Sequence, residues 1–321
     1  VSPAPTVRAV VVTWNGAHLL PLSLGSLAAQ VSRARLDVVV VDNGSQDGTD
    51  DLLARDFPAV RVLRSERNLG FAGGAALGTA DLDTDYVLLL NNDARLLPDA
   101  LDAMLDVAEA DERVGAVTAK VLLDEPGDGP RRVNSTGNVV TRAGAGMDRD
   151  WLVQEGEEST DPDVFGFCGA AALLRRSALD EVGTFDPWLF LYYEDTDLSW
   201  RLRAAGWLVR YAPAAVALHR HAASSDTASP LFRYHNTRNS LVVLGRYAPA
   251  SVVAASAARQ CAGWLRAVLR APADPVTRAR GRGLRDAAVR LPRTLRERRG
   301  LWSGAAVPLR DVARLLVRGQ R

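Results

Sequence analysis

Lysine is almost missing from this chain, for Lys120 is the only one in 321 residues. Basic charge is therefore carried by arginine, whose guanidinium stays ionised and pairs in a planar, forked geometry. Cysteine is equally scarce. Cys168 and Cys261 stand far apart, which excludes a disulfide framework and a paired-thiol metal motif and leads us to expect a reducing cytoplasm. No run reaches the roughly 18 to 20 uninterrupted apolar residues that a spanning helix needs. The stretch Val1 to Val12 has no basic region followed by an apolar one and a cleavage site, so no secretory leader is expected. No Gly-x-Gly-x-x-Gly follows the first apolar run, which argues against a dinucleotide oxidoreductase. Trp14 to Leu20 holds no arginine or lysine, as the corresponding loop of a nucleotidyltransferase should.

What is present is a core-forming composition, 47% hydrophobic and 24% charged, enough for one large core with or without a smaller appendage. The net charge of +1 conceals a split. From Leu241 to the C-terminus there are 17 arginines against 4 acids, so an acidic body carries a basic tail. Trp264, Leu265, Leu269, Leu301 and Trp302 are interleaved with those arginines. Basic amphipathic segments with tryptophan suit an anionic membrane surface, and a helical cap or dimer contact on the body is the alternative. No recognition motif for nucleic acid accompanies the charge, so no nucleic acid partner is expected.

Along the chain, β-branched and wholly apolar runs alternate with stretches of helical period. Val7 to Thr13, Leu36 to Val41, Val60 to Leu63, Tyr86 to Leu90 and Val114 to Val121 read as strands. His18 to Gln30, the stretch from about Asp50, Gly73 to Ala80 and Pro98 to Ala108 read as the helices between them. This rhythm predicts an α/β fold with a mainly parallel central sheet between helical layers. It breaks between Leu122 and Gly166, where weak strands and loop are expected, and long irregular segments inside a compact domain are usually functional. Phe167 to Leu174 resumes the sheet, Arg175 to Val182 and Glu194 to Ala205 read as helices, and Trp207 to Tyr211 and Ala215 to Leu218 as two short closing strands. Helix dominates from Pro230 onward. The expected division is a catalytic body over 1–228 and a basic, mainly helical region over 229–321.

Four polar clusters sit at or behind strand ends: Thr13-Trp14-Asn15, Asp42-Asn43-Gly44-Ser45, Asn91-Asn92-Asp93 and His219-Arg220-His221. Each alone is the usual furniture of turns and helix caps. Together, on successive strand ends of one sheet, they converge on a crevice at its carboxyl edge, where open α/β sheets bind ligands.

VVVVDNGSQDGT (Val38 to Thr49), NLGFAGG (Asn68 to Gly74), LLLNND (Leu88 to Asp93), EDTDLSWR (Glu194 to Arg201) and HRHAAS (His219 to Ser224) occur in that order. This series resembles the motifs of family 2 glycosyltransferases, especially their bacterial rhamnosyltransferase-like branch, over roughly Val7 to Asn239. The resemblance implies a GT-A fold and inverting transfer of a sugar from a nucleoside diphosphate, dTDP-rhamnose or a UDP-sugar. The acceptor would be a glycan or lipid-linked saccharide in cell-envelope or polysaccharide synthesis, which suits a cytoplasmic protein at the inner face of the membrane, monomeric or a homo-oligomer. It also implies a divalent metal, Mn²⁺ or Mg²⁺, on the departing diphosphate. By resemblance Asp93 and His219 hold that metal, with His221 the rival for the second place. Asp42 would accept from the nucleobase imide, Thr13, Asn15 and Asn68 would frame base and ribose, Asn92 would line the donor site, and Arg238 would contact phosphate. Asp195 would be the base that deprotonates the acceptor hydroxyl. Glu194 and Asp197 would be supporting or structural acids with Arg201, one turn on, as their ion-pair partner; Gly169 and Ala170 would let the sugars approach, and Trp188, with Phe190, Tyr192 and Tyr193, would stack on a sugar face or fill core.

The chain departs from the family pattern in three places. Asn91 replaces the first carboxylate of Asp-x-Asp, so metal affinity without nucleotide should be weak. Ala75-Ala76 stand where the family often has an asparagine. Gly263 interrupts the Gln-x-x-Arg-Trp signature of processive synthases in Gln260 to Trp264. A non-catalytic sugar-nucleotide-binding or scaffold protein is the rival reading, and an intact Asp93, Asp195 and His219 argue against it.

Overall fold

The computed structural model describes residues 3–125, 129–220 and 229–319. The first half alternates as read: β1 (Thr6–Thr13), α1 (Leu20–Ala28), β2 (Arg35–Asp42), α2 (Thr49–Asp56), β3 (Arg61–Arg64), α3 (Gly70–Gly78), β4 (Tyr86–Leu90), β5 (Ala94–Leu96), α4 (Ala100–Glu109) and β6 (Val114–Leu123). The irregular segment supplies β7 (Val133–Ser135), β8 (Asn138–Val140) and β9 (Gly146–Asp148). Next come β10 (Ala171–Arg175), α5 (Arg176–Val182), α6 (Glu194–Ala205) and β11 (Leu208–His219). Four helices follow: α7 (Pro230–Tyr247), α8 (Ala250–Arg270), α9 (Pro275–Gly304) and α10 (Leu309–Val312).

Among the described residues nine strands form one sheet in the order β3-β2-β1-β4-β10-β6-β11-β5, with β7 on the face-side edge of β6. β3, β2, β1 and β4 run parallel, as crossover helices demand. β10 then enters antiparallel to both β4 and β6, because it follows an irregular excursion and not a crossover helix. The sheet is therefore mixed. The two closing strands expected at 207–211 and 215–218 are one strand, β11, whose register slips between Ala212 and Val216. Pro213 within the slip has no N–H to give the ladder.

Each inner strand feeds two cores by simple alternation. Val7, Ala9 and Val11 of β1 and Tyr86, Leu88 and Leu90 of β4 pack with α1 and α4. Val10, Val12, Val87 and Leu89 face the opposite layer with Leu198 and Leu202 of α6. Wholly apolar strands buried on both faces are what such a sheet requires.

The tail is folded onto the body. Val243, Leu244 and Tyr247 of α7 and Val312 of α10 share a third core with Phe165 and Trp200. Arg246, 4% exposed, is a hub: it pairs with Asp186 at 2.7 Å, Asp197 at 2.8 Å and Glu297 at 2.8 Å. For α7 and α9 the helical-cap alternative therefore holds, since several of the arginines that made the tail look like a lipid-binding face are used internally. Leu265 and Leu269 of α8 remain exposed. Among the described residues no helix is long and apolar enough to cross a membrane. Cys168 is buried and Cys261 exposed, both as thiols.

Candidate active site

Strand ends and the irregular segment enclose a cleft of about 830 Å³ at the carboxyl edge of the sheet. That volume lies in the range of pockets that take small ligands and cofactors. Thr13, Asn68, Asn91, Asn92, Asp93, Gly169, Ala170, Glu194, Asp195 and His219 of the sequence reading all line it.

Asp93 is delivered by the turn that ends β4. Ala94, the next residue, opens β5 and pairs with His219 at the end of β11, which sets Asp93 beside the imidazole. His219 Nε2 lies 3.1 Å from Asp93 Oδ1, and its Nδ1 lies 2.6 Å from Asn134 Oδ1. With Nδ1–H donated to the Asn134 oxygen, the Nε2 lone pair is turned toward a carboxylate oxygen, and a cation between two such donors satisfies both. Neighbouring ligands of an octahedral ion, each about 2.1 Å from it, stand about 3 Å apart, so the spacing fits. Among the described residues no group of three or more His, Cys, Asp or Glu side chains is arranged to hold a metal. A one-carboxylate, one-imidazole pair leaves the remaining positions to ligand oxygens and water. His221, the rival ligand, and Ser224 lie outside the described residues.

Across the cleft, Asp195 sits in the first turn of α6. Its Oδ2 accepts from Asn138 Nδ2 at 2.7 Å and from Gly169 N at 3.3 Å, and its Oδ1 from Thr196 N at 2.6 Å. Burial holds the carboxyl above its ordinary range, and these three donors pull the other way. Glu194 is buried beside it. Burial, then the Asp195 charge, pushes Glu194 up to about 8, so it is a neutral acid at pH 7 next to an ionisable base.

Two glycines permit this geometry. A Cβ on Gly16 would stand 2.5 Å from Asn92 Nδ2 and 2.7 Å from Thr13 Oγ1, the pair that closes the β1 edge of the cleft. Gly70 has φ of 70°, and a Cβ there would strike the Phe190 carbonyl.

The loop before α6 forms one wall and is strained, with Phe190, Tyr192 and Tyr193 at φ of 65°, 68° and 72°. α7 holds it in place. Asn239 Nδ2 donates to the carbonyls of Leu189, Leu191 and Tyr192 at 2.9, 2.9 and 2.8 Å.

Five expected residues stand elsewhere. Arg238 donates to the Trp188 and Leu189 carbonyls at 3.1 and 2.8 Å, so its guanidinium braces the loop and is not among the residues that line the cleft. Trp188 does not reach the cleft, for the guanidinium groups of Arg238 and Arg290 lie over its ring at 4.2 and 3.6 Å. Phe190, Tyr192 and Tyr193 line the cleft in its stead. Arg201 is the expected ion-pair partner, of Asp197 at 2.9 Å, and also donates to the carbonyls of Val182, Gly183 and Thr184, outside the cleft lining. Asn15 Oδ1 accepts from Gln46 N at 2.8 Å, tying two loops together behind the wall. Asp42 is fully buried; its Oδ1 accepts from Ser45 N at 2.9 Å, and its Oδ2 has no hydrogen-bond donor but lies 3.7 Å from Arg64 Nε.

Asn134, Asn138 and Asp148 line the cleft and were missed. They come from β7, β8 and β9, inside the stretch whose irregularity was the only sign of them.

Comparison with known proteins bears on this geometry. Residues 9–183 match the family model described as glycosyl transferase family 2. Over 250 residues the chain is 34% identical to an N-acetylglucosaminyl-diphospho-decaprenol L-rhamnosyltransferase of Mycobacterium tuberculosis, covering 71% of this chain and 81% of that one. A mannosyltransferase from Pyrobaculum calidifontis, solved with GDP-Man and Mn²⁺, superposes with a TM-score of 0.55 at 20% identity over 91% of this chain and 88% of that one. TarS from S. aureus gives 0.55 at 15% identity over 97% and 90%. These likenesses carry the fold.

Proposed function

This chain belongs to glycosyl transferase family 2 and transfers a sugar from a nucleoside-diphosphate sugar to an acceptor; we propose that the transfer is inverting, with dTDP-rhamnose or a UDP-sugar as donor and a lipid-linked saccharide as acceptor. The observation that carries the reading is the opposition, across one cleft, of the Asp93–His219 pair and the buried base Asp195. The Mycobacterium tuberculosis relative is named for an N-acetylglucosaminyl-diphospho-decaprenol acceptor, which supports that acceptor class.

In this reading Asp195 accepts the proton of the attacking acceptor hydroxyl as it closes on the anomeric carbon. A single displacement with one base inverts that centre. Asp93 and His219 hold a divalent ion, with Asn134 fixing the imidazole. The ion, when bound, neutralises charge on the departing diphosphate. Asp42 Oδ2, buried without a hydrogen-bond donor and 3.7 Å from Arg64 Nε, is the acceptor we assign to the nucleobase imide. Gly169 N, already pointed at Asp195, helps keep the base ionised.

Thermal-shift titration against a panel of dTDP-, UDP- and GDP-sugars with Mn²⁺ tests the donor, and dTDP-rhamnose or a UDP-sugar should raise Tm most. A larger shift with a GDP-sugar rejects that choice. Asp195→Asn should lower kcat by about 10² to 10⁴, the usual share of general base catalysis, while donor affinity stays within about twofold. Turnover near that of the parent would sink the base assignment.

A further inference from the structure

The β8–β9 hairpin carries one carboxylate that the steps above leave unused. Asn138 and Asp148 are opposed in register across it, so their side chains leave the hairpin on the same face. Asn138 spends that position on Asp195, at 2.7 Å. Asp148 lines the same cleft, half-buried, beside Ser135 and Cys168 and within electrostatic reach of Asp195. The hairpin that carries it is tied to Asp195 through Asn138, which sets Asp148 in the neighbourhood of that carboxylate.

Burial, and then the neighbouring Asp195 charge, push the Asp148 carboxyl up to about 6. At neutral pH it is therefore ionised at some cost, and it still has lone pairs to offer beyond Ser135 and Cys168. A hydroxyl donated by a ligand offsets that cost, as a water does less well in a cleft lined by Phe190, Tyr192 and Tyr193. Saccharides carry such hydroxyls on adjacent carbons, and two carboxylates on one wall can engage two neighbours at once.

Resting on the transferase reading above, we propose that Asp148 selects the acceptor, accepting a hydrogen bond from a hydroxyl adjacent to the attacking one while Asp195 takes the attacking hydroxyl's proton. The acceptor sugar must then present two neighbouring hydroxyls. Asp148 binds and orients; Asp195 does the proton transfer.

The test uses the full chain and, as probe acceptor, N-acetylglucosaminyl diphosphate on a short prenyl chain, with its set of monodeoxy analogues. Three quantities are followed: KM for the acceptor, the ratio of transfer to hydrolysis of the donor by water, and donor affinity by calorimetry. For Asp148→Asn, acceptor KM should rise and the transfer-to-hydrolysis ratio fall by about tenfold, the scale of one charge-assisted hydrogen bond, with donor affinity unchanged. Asp148→Glu, which keeps the charge, should recover part of that loss. One analogue, lacking a hydroxyl beside the attacking one, should cost the parent enzyme the same factor and cost Asp148→Asn nothing further.

Hydrolysis that collapses together with transfer in Asp148→Asn overturns the proposal, because Asp148 would then act on the base or the donor. A parent enzyme indifferent to every such analogue overturns it without any variant. A parent that hydrolyses the donor yet never glycosylates the probe overturns the acceptor class and the proposal with it, leaving the donor reading intact. A parent that neither binds nor hydrolyses any nucleotide sugar overturns the transferase reading itself.

Discussion

At the scale of single residues, the site is a set of carboxylates kept apart by their surroundings. As the proposed base, Asp195 has to be ionised to take a proton, and burial raises its pKa, so activity should fall as pH drops through a value above the ordinary carboxylate range. Asn138 opposes that rise by donating to the ionised form. Asn138→Ala should therefore move the acid limb of the kcat/KM profile to higher pH, and an unmoved limb would mean that Asn138 does not tune the base. Glu194 makes the opposite demand, on stability. With a folded value of about 8 against 4.5 for a free glutamic acid, the native state keeps a proton that the unfolded chain has lost, and stability drains away as pH rises between the two. Glu194→Gln should match the parent's Tm near pH 4.5 and exceed it by a growing margin toward pH 8. Equal melting curves at both ends would show that Glu194 ionises freely.

At the scale of elements, what the sequence made legible is the part built from repetition. The strands of the first half and α6 were readable because burial on two faces leaves an unbroken apolar run, and an amphipathic helix leaves a period. The motifs placed Asp93, His219 and Asp195 in one cleft for the same reason: each follows such a run or opens such a helix. β7, β8 and β9 are three residues each, too short to show alternation, and their asparagines look like any loop polar residue until the hairpin folds over the cleft. Arg238 was not legible, and the choice between stacking and core for Trp188 stayed open, because a side chain's partner cannot be read from its own strand or helix; theirs lie on a loop and on α9. Asn239 is the clearest case, a mid-helix amide serving three carbonyls of a distant strained loop. Asn239→Ala should leave those carbonyls without a side-chain donor and relax the left-handed residues, lowering Tm and reducing kcat by about tenfold or more. A variant with both quantities intact would show that the loop is held by its aromatic contacts alone.

At the scale of the whole molecule, the change of composition near residue 229 is not a mechanical boundary. α7 and α10 complete the core around Trp200, and Arg246 ties α7 to α6, α9 and the loop before α6 through three acids. Removing the cation takes from three acids a shared partner and leaves Asp197, 1% exposed, with Arg201 as its one remaining guanidinium among the described residues. Arg246→Ala should cost about 3 to 5 kcal/mol, and calorimetry should show one transition at lower temperature for the whole chain. A separate, early melt of the C-terminal helices with the cleft intact would show two independent units instead. The Arg246 hub also makes the basic tail a gauge of the cleft wall: the rate at which a protease nicks α9 should slow when nucleotide sugar fills the cleft.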